Sequence, residues 1–169
     1  MNEQLIKDVV LVGHKVYALD EITDEGVAAA DAIVSIDDPE EPVPNEVSLS
    51  NKRRLVLRFF DYDHEDDQSP QIGHVRDLIA FAAETRPGEK VLVHCYAGIS
   101  RSTAALAIIF AVIHPELTYD EIFEAIYLIR PIAWPNTRMV AYADQILKCG
   151  GRFSAALSRF RRSAPESDD

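Results

Sequence analysis

The sequence has few of the residues on which disulfide-rich, metal-binding and membrane-spanning proteins depend. It contains two cysteines, Cys95 and Cys149, which are too few for a disulfide framework and lack the spacing of metal ligands. No apolar run approaches the roughly 18 to 20 residues that cross a membrane, and the N-terminal residues lack the pattern of a signal peptide. We therefore expect a cytoplasmic protein with reduced thiols, no metal site and no membrane partner.

Basic residues are scarce as well. The chain has 17 Lys and Arg against 28 Asp and Glu, a net charge of −11. Nucleic acids and anionic membranes are bound through basic surfaces, so this balance argues against both as the main partner. The one local exception is an Arg-rich segment near the C-terminus that an acidic end follows. We interpret residues 152–169 as a C-terminal helix and partly flexible tail, after a domain of residues 1–151.

Apolar residues make up 47% of the 169 residues, enough for one core, and their periodicity predicts an α/β fold. We predict a single domain in which helices flank a central, mostly parallel sheet. Residues 37–53 hold three prolines and are predicted to form a loop. Strands are predicted at residues 8–13, 31–37, 54–60 and 90–94, and helices at residues 17–30, 71–84, 101–115, 118–131 and 136–149.

The segment between the strand at 90–94 and the helix at 101–115 carries the chemistry. A strand, a tight loop and a helix bring backbone N–H groups together around an anion at the helix N-terminus. Gly98 allows the left-handed turn that this loop needs, and Arg101 adds a planar, permanently charged guanidinium. We therefore predict a phosphate cradle, formed by Cys95 and the loop residues Tyr96, Ala97, Gly98, Ile99, Ser100 and Arg101.

The same surroundings predict a reactive sulfur at Cys95. A thiol that faces a helix N-terminus and a cation loses its proton far more readily than a free cysteine. A thiolate on the floor of a phosphate cradle attacks phosphorus and forms a phosphocysteine. Ser102 is then placed to donate a hydrogen bond to the departing sulfur, and His94 is expected to fix the loop rather than to move protons.

The stretch "VHCYAGISRS" at residues 93–102 resembles the signature loop of the cysteine-dependent protein tyrosine phosphatases, in particular the dual-specificity and compact bacterial enzymes. The resemblance extends over roughly residues 55–147. It implies the protein tyrosine phosphatase fold, hydrolysis of phosphomonoesters through a phosphocysteine on Cys95, and no cofactor. It also suggests that Asn136 braces the cradle, although capping of the following helix is an alternative role for this residue.

In this family an Asp that follows an apolar strand protonates the departing oxygen of the substrate. The acidic loop, residues 61–70, offers two candidates for this general acid. Asp61 comes directly after the predicted strand and is favoured, whereas Asp63 matches the shorter spacing of some relatives. The remaining carboxylates of the loop are read as a solvated turn, because the pattern of a calcium-binding loop is missing.

The cradle itself bears on the substrate. Its five residues between Cys95 and Arg101 include none that is basic, which disfavours polyphosphorylated lipids and inositols. A single phosphoryl group on a protein, most naturally phosphotyrosine, fits better, and a shallow site would also admit phosphoserine or phosphothreonine. The alternatives are a phosphatase of phosphoinositides, RNA 5′ ends or small molecules, and a non-catalytic phosphate-binding protein. The sequence does not indicate an oligomeric state.

Overall fold

A computed structural model describes residues 1–164 of the chain. Its strands are β1 (Lys15–Tyr17), β2 (Ala32–Asp37), β3 (Arg53–Arg58) and β4 (Val91–His94). A 3₁₀ turn covers Leu19–Glu21. The helices are α1 (Glu3–Leu11), α2 (Asp24–Ala29), α3 (Asn45–Ser48), α4 (Ile72–Ala83), α5 (Arg101–Ile113), α6 (Tyr119–Ile129), α7 (Thr137–Ile146) and α8 (Arg152–Ser163).

The four strands form one parallel sheet in the order β1-β4-β2-β3, with helices packed against it. β2 and β4 are the central strands and are buried along their whole length, as their mostly apolar character predicts. Helix α5 is buried from Arg101 to Phe110 and fills the core beside β4. The predicted single α/β domain with a parallel sheet flanked by helices is confirmed.

The strand predicted at residues 8–13 is wrong, because those residues belong mostly to helix α1 and the turn after it. The side chain of Asn2 accepts a hydrogen bond from Leu5 N and starts the helix, and Ile6 and Val9 face the core three residues apart. A run of four apolar residues does not distinguish a strand from a helix. The strand that does begin the sheet, β1, is only three residues long and was not predicted.

The later helices follow the sequence signals closely. Thr118 caps α6 and Glu121 reaches back to the backbone of Thr118, which is the predicted capping box. Asn136 caps α7 through a hydrogen bond from Met139 N. Among the described residues, no helix combines the length and the apolar character that a membrane crossing requires.

Helix α8 packs its apolar face against α6 and α7. Phe153 is fully buried and stacks on Tyr119 and Phe123, and Ala156 and Leu157 are buried beside it. The boundary after residue 151 and the flexible end remain predictions, since the last five residues lie outside the described part of the chain.

Candidate active site

The candidate active site lies where β4 ends and α5 begins. β4 is held between β1 and β2, so its end has a fixed position in the sheet. Cys95 follows this strand and is 2% exposed, and the cradle then turns and enters α5 at Arg101. The first turn of α5 therefore presents its free backbone N–H groups to the cradle.

Gly98 is the turning point of the cradle. Its φ of +67° is a left-handed conformation that residues with a side chain rarely adopt. A Cβ at this position would lie 2.6 Å from Arg130 Nη2 and 2.7 Å from the backbone nitrogen of Ala18. Gly98 N donates a hydrogen bond of 3.3 Å to Cys95 Sγ, so the chain curls around the sulfur. A glycine is required here both for the conformation and for the close packing.

Ser102 lies against the same sulfur from the first turn of α5. Its Oγ is 3.1 Å from Cys95 Sγ, and the side chain is fully buried. A buried hydroxyl at this distance serves the thiol as an acceptor and a thiolate as a donor. Helix α5 thus supplies the sulfur with a polar neighbour as well as with its N-terminal dipole.

The guanidinium of Arg101 is held by two hydrogen bonds and keeps one buried N–H unpaired within the described part of the chain. Nη1 donates to Asp38 Oδ1 and to Phe59 O, each at 2.7 Å. Nε is buried and has no hydrogen-bond partner among residues 1–164. An orphaned, buried N–H on a permanent cation matches an anion such as a phosphoryl oxygen. Asp38 was not identified as a site residue from the sequence, because it lies in the proline-rich loop predicted at residues 37–53.

His94 is the last residue of β4, directly before Cys95, and its ring contacts the neighbouring strand. Its Nε2 lies 2.6 Å from Ser35 Oγ on the neighbouring strand β2, and the ring is completely buried. Burial lowers the pKa of His94 to about 4, so the ring is neutral at physiological pH. The ring thus joins the end of β4 to β2, and its expected role in fixing the loop stays a prediction.

Asp61 reaches across from the acidic loop to the cradle. Its Oδ1 accepts hydrogen bonds from Ser100 Oγ at 2.6 Å and from Asn136 Nδ2 at 2.9 Å. Asn136 also donates to Tyr62 O, in addition to capping α7. The Asn136 side chain therefore caps α7 and binds the acidic loop, whereas its contact with the cradle is made by its backbone N, which donates to Ser100 O.

Asp63 lies outside this arrangement. Its side chain is 78% exposed, and its Oδ1 lies 3.6 Å from His64 Nδ1. The structure thus brings Asp61 to the cradle and leaves Asp63 in solvent.

Two acidic residues near the cradle were not singled out in the sequence. Glu21 forms a two-pronged ion pair with Arg130, whose Nε donates to Gly98 O at 2.9 Å, and this hydrogen bonding lowers the pKa of Glu21. Asp37 is buried at the end of β2, and its burial raises the pKa of its carboxyl to about 6 against the opposing charges of Arg58 and Arg101. The ion pair of Glu21 with Arg130 and the interaction of Asp37 with Arg101 each join residues that are far apart in sequence. A linear motif therefore does not predict them.

The parallel sheet and the strand, loop and helix around Cys95 define the class: this is the fold of the cysteine-dependent protein tyrosine phosphatase superfamily. The sequence model of the family described as dual specificity phosphatase, catalytic domain, matches residues 30–146. The chain belongs to this family.

Named relatives and solved structures agree with the family match. The chain is 42% identical to dual specificity protein phosphatase 22-B of Danio rerio over 67 residues, which cover 39% of this chain and 36% of the relative. It is 42% identical to dual specificity protein phosphatase 15 of Mus musculus over 87 residues, 51% of this chain and 35% of the relative. In both comparisons the match spans only about a third of the relative's length.

Solved structures share the fold over nearly the whole chain. The crystal structure of human DUSP28 has a TM-score of 0.62 at 22% identity and covers 89% of this chain and 96% of its own. The crystal structure of DUSP15 has a TM-score of 0.59 at 23% identity, with 94% and 96% covered. At this identity the likeness establishes the fold alone.

Proposed function

We propose that the protein is a cysteine-dependent phosphatase that hydrolyses phosphotyrosine in proteins, with phosphoserine and phosphothreonine as further substrates. Three observations on one segment carry the proposal: the Cys95 sulfur lies against the first turn of α5, Arg101 in that turn has an Nε that is unpaired among the described residues, and the carboxyl of Asp61 is bonded to Ser100 of the cradle. These are the nucleophile, the anion clamp and the proton donor that phosphoryl transfer to a thiol requires.

In the first step the Cys95 thiolate attacks phosphorus, and an S–P bond forms as the P–O bond to the substrate breaks. Asp61 gives its proton to the departing oxygen. Its Oδ1 is occupied by Ser100 and Asn136, whereas its Oδ2 has no hydrogen-bond partner among residues 1–164. The unoccupied oxygen is the one we assign to the transferred proton.

In the second step the Asp61 carboxylate takes a proton from water, whose oxygen attacks phosphorus and breaks the S–P bond. Ser102 donates a hydrogen bond to the sulfur as it leaves, and inorganic phosphate is released. Arg101 holds the phosphoryl oxygens through both steps with Nε and its second amino group. The backbone N–H groups at the start of α5 complete the cradle.

The rim of the cradle supports an aromatic substrate in a peptide. Tyr96, Ile99 and Trp134 are large apolar side chains that are 64%, 37% and 42% exposed. Trp134 adjoins the cradle because its N donates to Ile99 O. Such a rim offers surface to a phenyl ring and to apolar side chains beside it. Within the cradle, the absence of a basic residue other than Arg101 disfavours multiply phosphorylated ligands.

The first experiment is hydrolysis of p-nitrophenyl phosphate by the wild type, Cys95→Ser and Cys149→Ala. Cys149 is the matched control, because its burial raises its thiol pKa and it lies at the turn before α8. We expect activity in the wild type and in Cys149→Ala and none in Cys95→Ser, together with a phosphoryl adduct, trapped by rapid denaturation, that requires Cys95. An inactive wild type would point to a phosphate-binding protein without turnover.

The second experiment compares substrates. We expect the highest kcat/KM for phosphotyrosine peptides, lower values for the same peptides with phosphothreonine, and the lowest for inositol phosphates and RNA 5′ ends. A preference for either of the last two groups would overturn the assignment of a protein substrate.

A further inference from the structure

The C-terminal helix α8 reaches the acid side of the site through one side chain. Arg161, in the last turn of α8, donates from Nη2 to Pro135 O at 2.6 Å. Its guanidinium also lies 4.6 Å from the centre of the Trp134 ring, a cation–π contact. The neighbouring Arg162 is exposed. The contact therefore belongs to Arg161 rather than to the basic segment as a whole.

Arg161 contacts the segment that binds Asp61, the proposed general acid. Pro135 immediately precedes Asn136, whose side chain donates to Asp61 Oδ1. The backbone of this segment is bound to the cradle on its other side, since Trp134 N donates to Ile99 O and Asn136 N donates to Ser100 O. Residues 134–136 are thus clamped between the cradle and α8, and their position sets the position of Asp61.

The guanidinium of Arg161 also interacts electrostatically with the acidic loop. Burial lowers the pKa of its guanidinium, and the carboxylates of Asp61 and Asp63 oppose that change. Arg161 therefore lies within the electrostatic reach of the acidic loop as well as in contact with the brace. Its Nε is buried and has no partner among residues 1–164.

Helix α8 is rigidly placed for this task. Phe153 and Leu157 are buried against α6 and α7, and Phe160 stacks on Phe123. On the far side, Arg159 forms a two-pronged ion pair with Asp120 at the start of α6. The position of Arg161 is consequently fixed by the helical half of the core and not by the acidic loop itself.

We propose that Arg161 is a positioning residue for the general acid, and that α8 is thereby part of the catalytic apparatus. The inference rests on the proposed function, because it takes Asp61 as the proton donor. Arg161 acts through Pro135 and Asn136, which keep the Asp61 carboxyl above the cradle. A guanidinium suits this role because its several N–H groups let it contact the Trp134 ring and donate to Pro135 O at the same time, which a smaller ammonium does less well.

The test uses the leaving group of the substrate as its readout. Loss of an acid slows phenyl phosphate, which releases a strongly basic phenolate, much more than p-nitrophenyl phosphate, whose leaving group departs with little help. We expect Arg161→Ala to lower kcat/KM for phenyl phosphate by about 10-fold and for p-nitrophenyl phosphate by no more than about 2-fold. Arg161→Lys should restore part of the loss, and the control Arg162→Ala should show none.

A double variant separates positioning from general loosening of the fold. In an Asp61→Asn background, Arg161→Ala should cause no further loss on phenyl phosphate, because the group that it positions is already gone. Equal losses on both substrates, or additive losses in the double variant, would overturn the inference. Thermal unfolding of each variant checks that the chain is folded at the assay temperature.

The two proposals fail in different ways. If Asp61→Asn itself slows both substrates equally, the assignment of the general acid in the proposed function is wrong. If Asp61→Asn slows phenyl phosphate selectively and Arg161→Ala does not, only the positioning role of Arg161 is wrong.

Discussion

The phosphate cradle and the acidic loop meet at Asp61, yet they are held by different kinds of contact. The cradle joins a buried strand to a buried helix, and its shape depends on backbone conformation at Gly98 and on side chains that are nearly inaccessible. The acidic loop is mostly exposed, and Asp61 accepts one side-chain hydrogen bond from Ser100 of the cradle and another from Asn136. Under the proposed function, anion binding therefore depends on the fold itself, whereas proton donation depends on a few side-chain contacts.

The largest expected effect lies in the backbone of the cradle. Gly98→Ala places a Cβ too close to the backbone nitrogen of Ala18 and strains a left-handed residue. We expect kcat/KM for p-nitrophenyl phosphate to fall by about 10²-fold or more, because displaced amides no longer stabilise the transition state. Gly73→Ala, on the exposed face of α4 with nothing within 4 Å of the added Cβ, is the matched control and should remain active.

On the acid side, Asp61→Asn should lower kcat/KM for phenyl phosphate by about 10²-fold, the lower end of the contribution of general acid catalysis. Asp63→Asn, two residues away and exposed, should change it by less than about 2-fold. Steady-state kinetics on both variants measures the contrast. Similar effects of the two substitutions would show that no single carboxyl of the loop acts as the acid.

A smaller effect is expected at Asp38, which fixes one side of Arg101 through an ion pair. Asp38→Asn keeps an acceptor oxygen but removes the charge, so we expect KM to rise by about 10-fold, as for a lost charged hydrogen bond. The exposed Glu40 provides the control Glu40→Gln. Inhibition by inorganic phosphate should weaken in parallel in Asp38→Asn, and unchanged inhibition would separate Asp38 from anion binding.

The smallest expected effect is on the pH dependence of the free energy of unfolding, and it involves the buried His94. The pKa of His94 is about 4 in the folded chain and 6.5 in the unfolded chain, so only the unfolded chain gains this proton between these values. Its contribution to stability is complete above pH 6.5 and is lost as the pH falls towards 4, about 2 kcal/mol between pH 7 and pH 5. His94→Asn should flatten the pH dependence of the free energy of unfolding in urea, whereas His64→Asn at an exposed site should leave it unchanged.

The difference between the cradle and the acidic loop also explains which parts of the site can be predicted from the sequence. Cys95, Gly98 and Arg101 are seven residues or fewer apart, so their chemistry is visible in one segment. Asp61 is separated from Ser100 by 39 positions and from Asn136 by 75, and the choice between Asp61 and Asp63 depends on those distant contacts. A linear pattern specifies the cradle, but it only proposes candidates for the acid.

The fold shows the same limit on a larger scale. Helices with clear caps and an apolar stripe, such as α4, α6 and α7, were predicted closely, because their signals are local. We predicted a strand where helix α1 lies, because four successive apolar residues are compatible with either structure. In the fold, α1 packs against helix α6, which is distant in sequence and therefore gives no local signal. Short β1 is stabilised by its pairing with β4 and has little signal of its own.

The ion pair between Glu21 and Arg130 has a consequence for the order in which the cradle is completed. It fastens the cradle to a turn near the beginning of the chain and to the end of α6, across 109 positions. During synthesis the residues of the cradle emerge before Arg130, so this tie is absent until α6 has been made. The surroundings of Gly98 are therefore complete only when segments on both sides of the cradle in the sequence have docked.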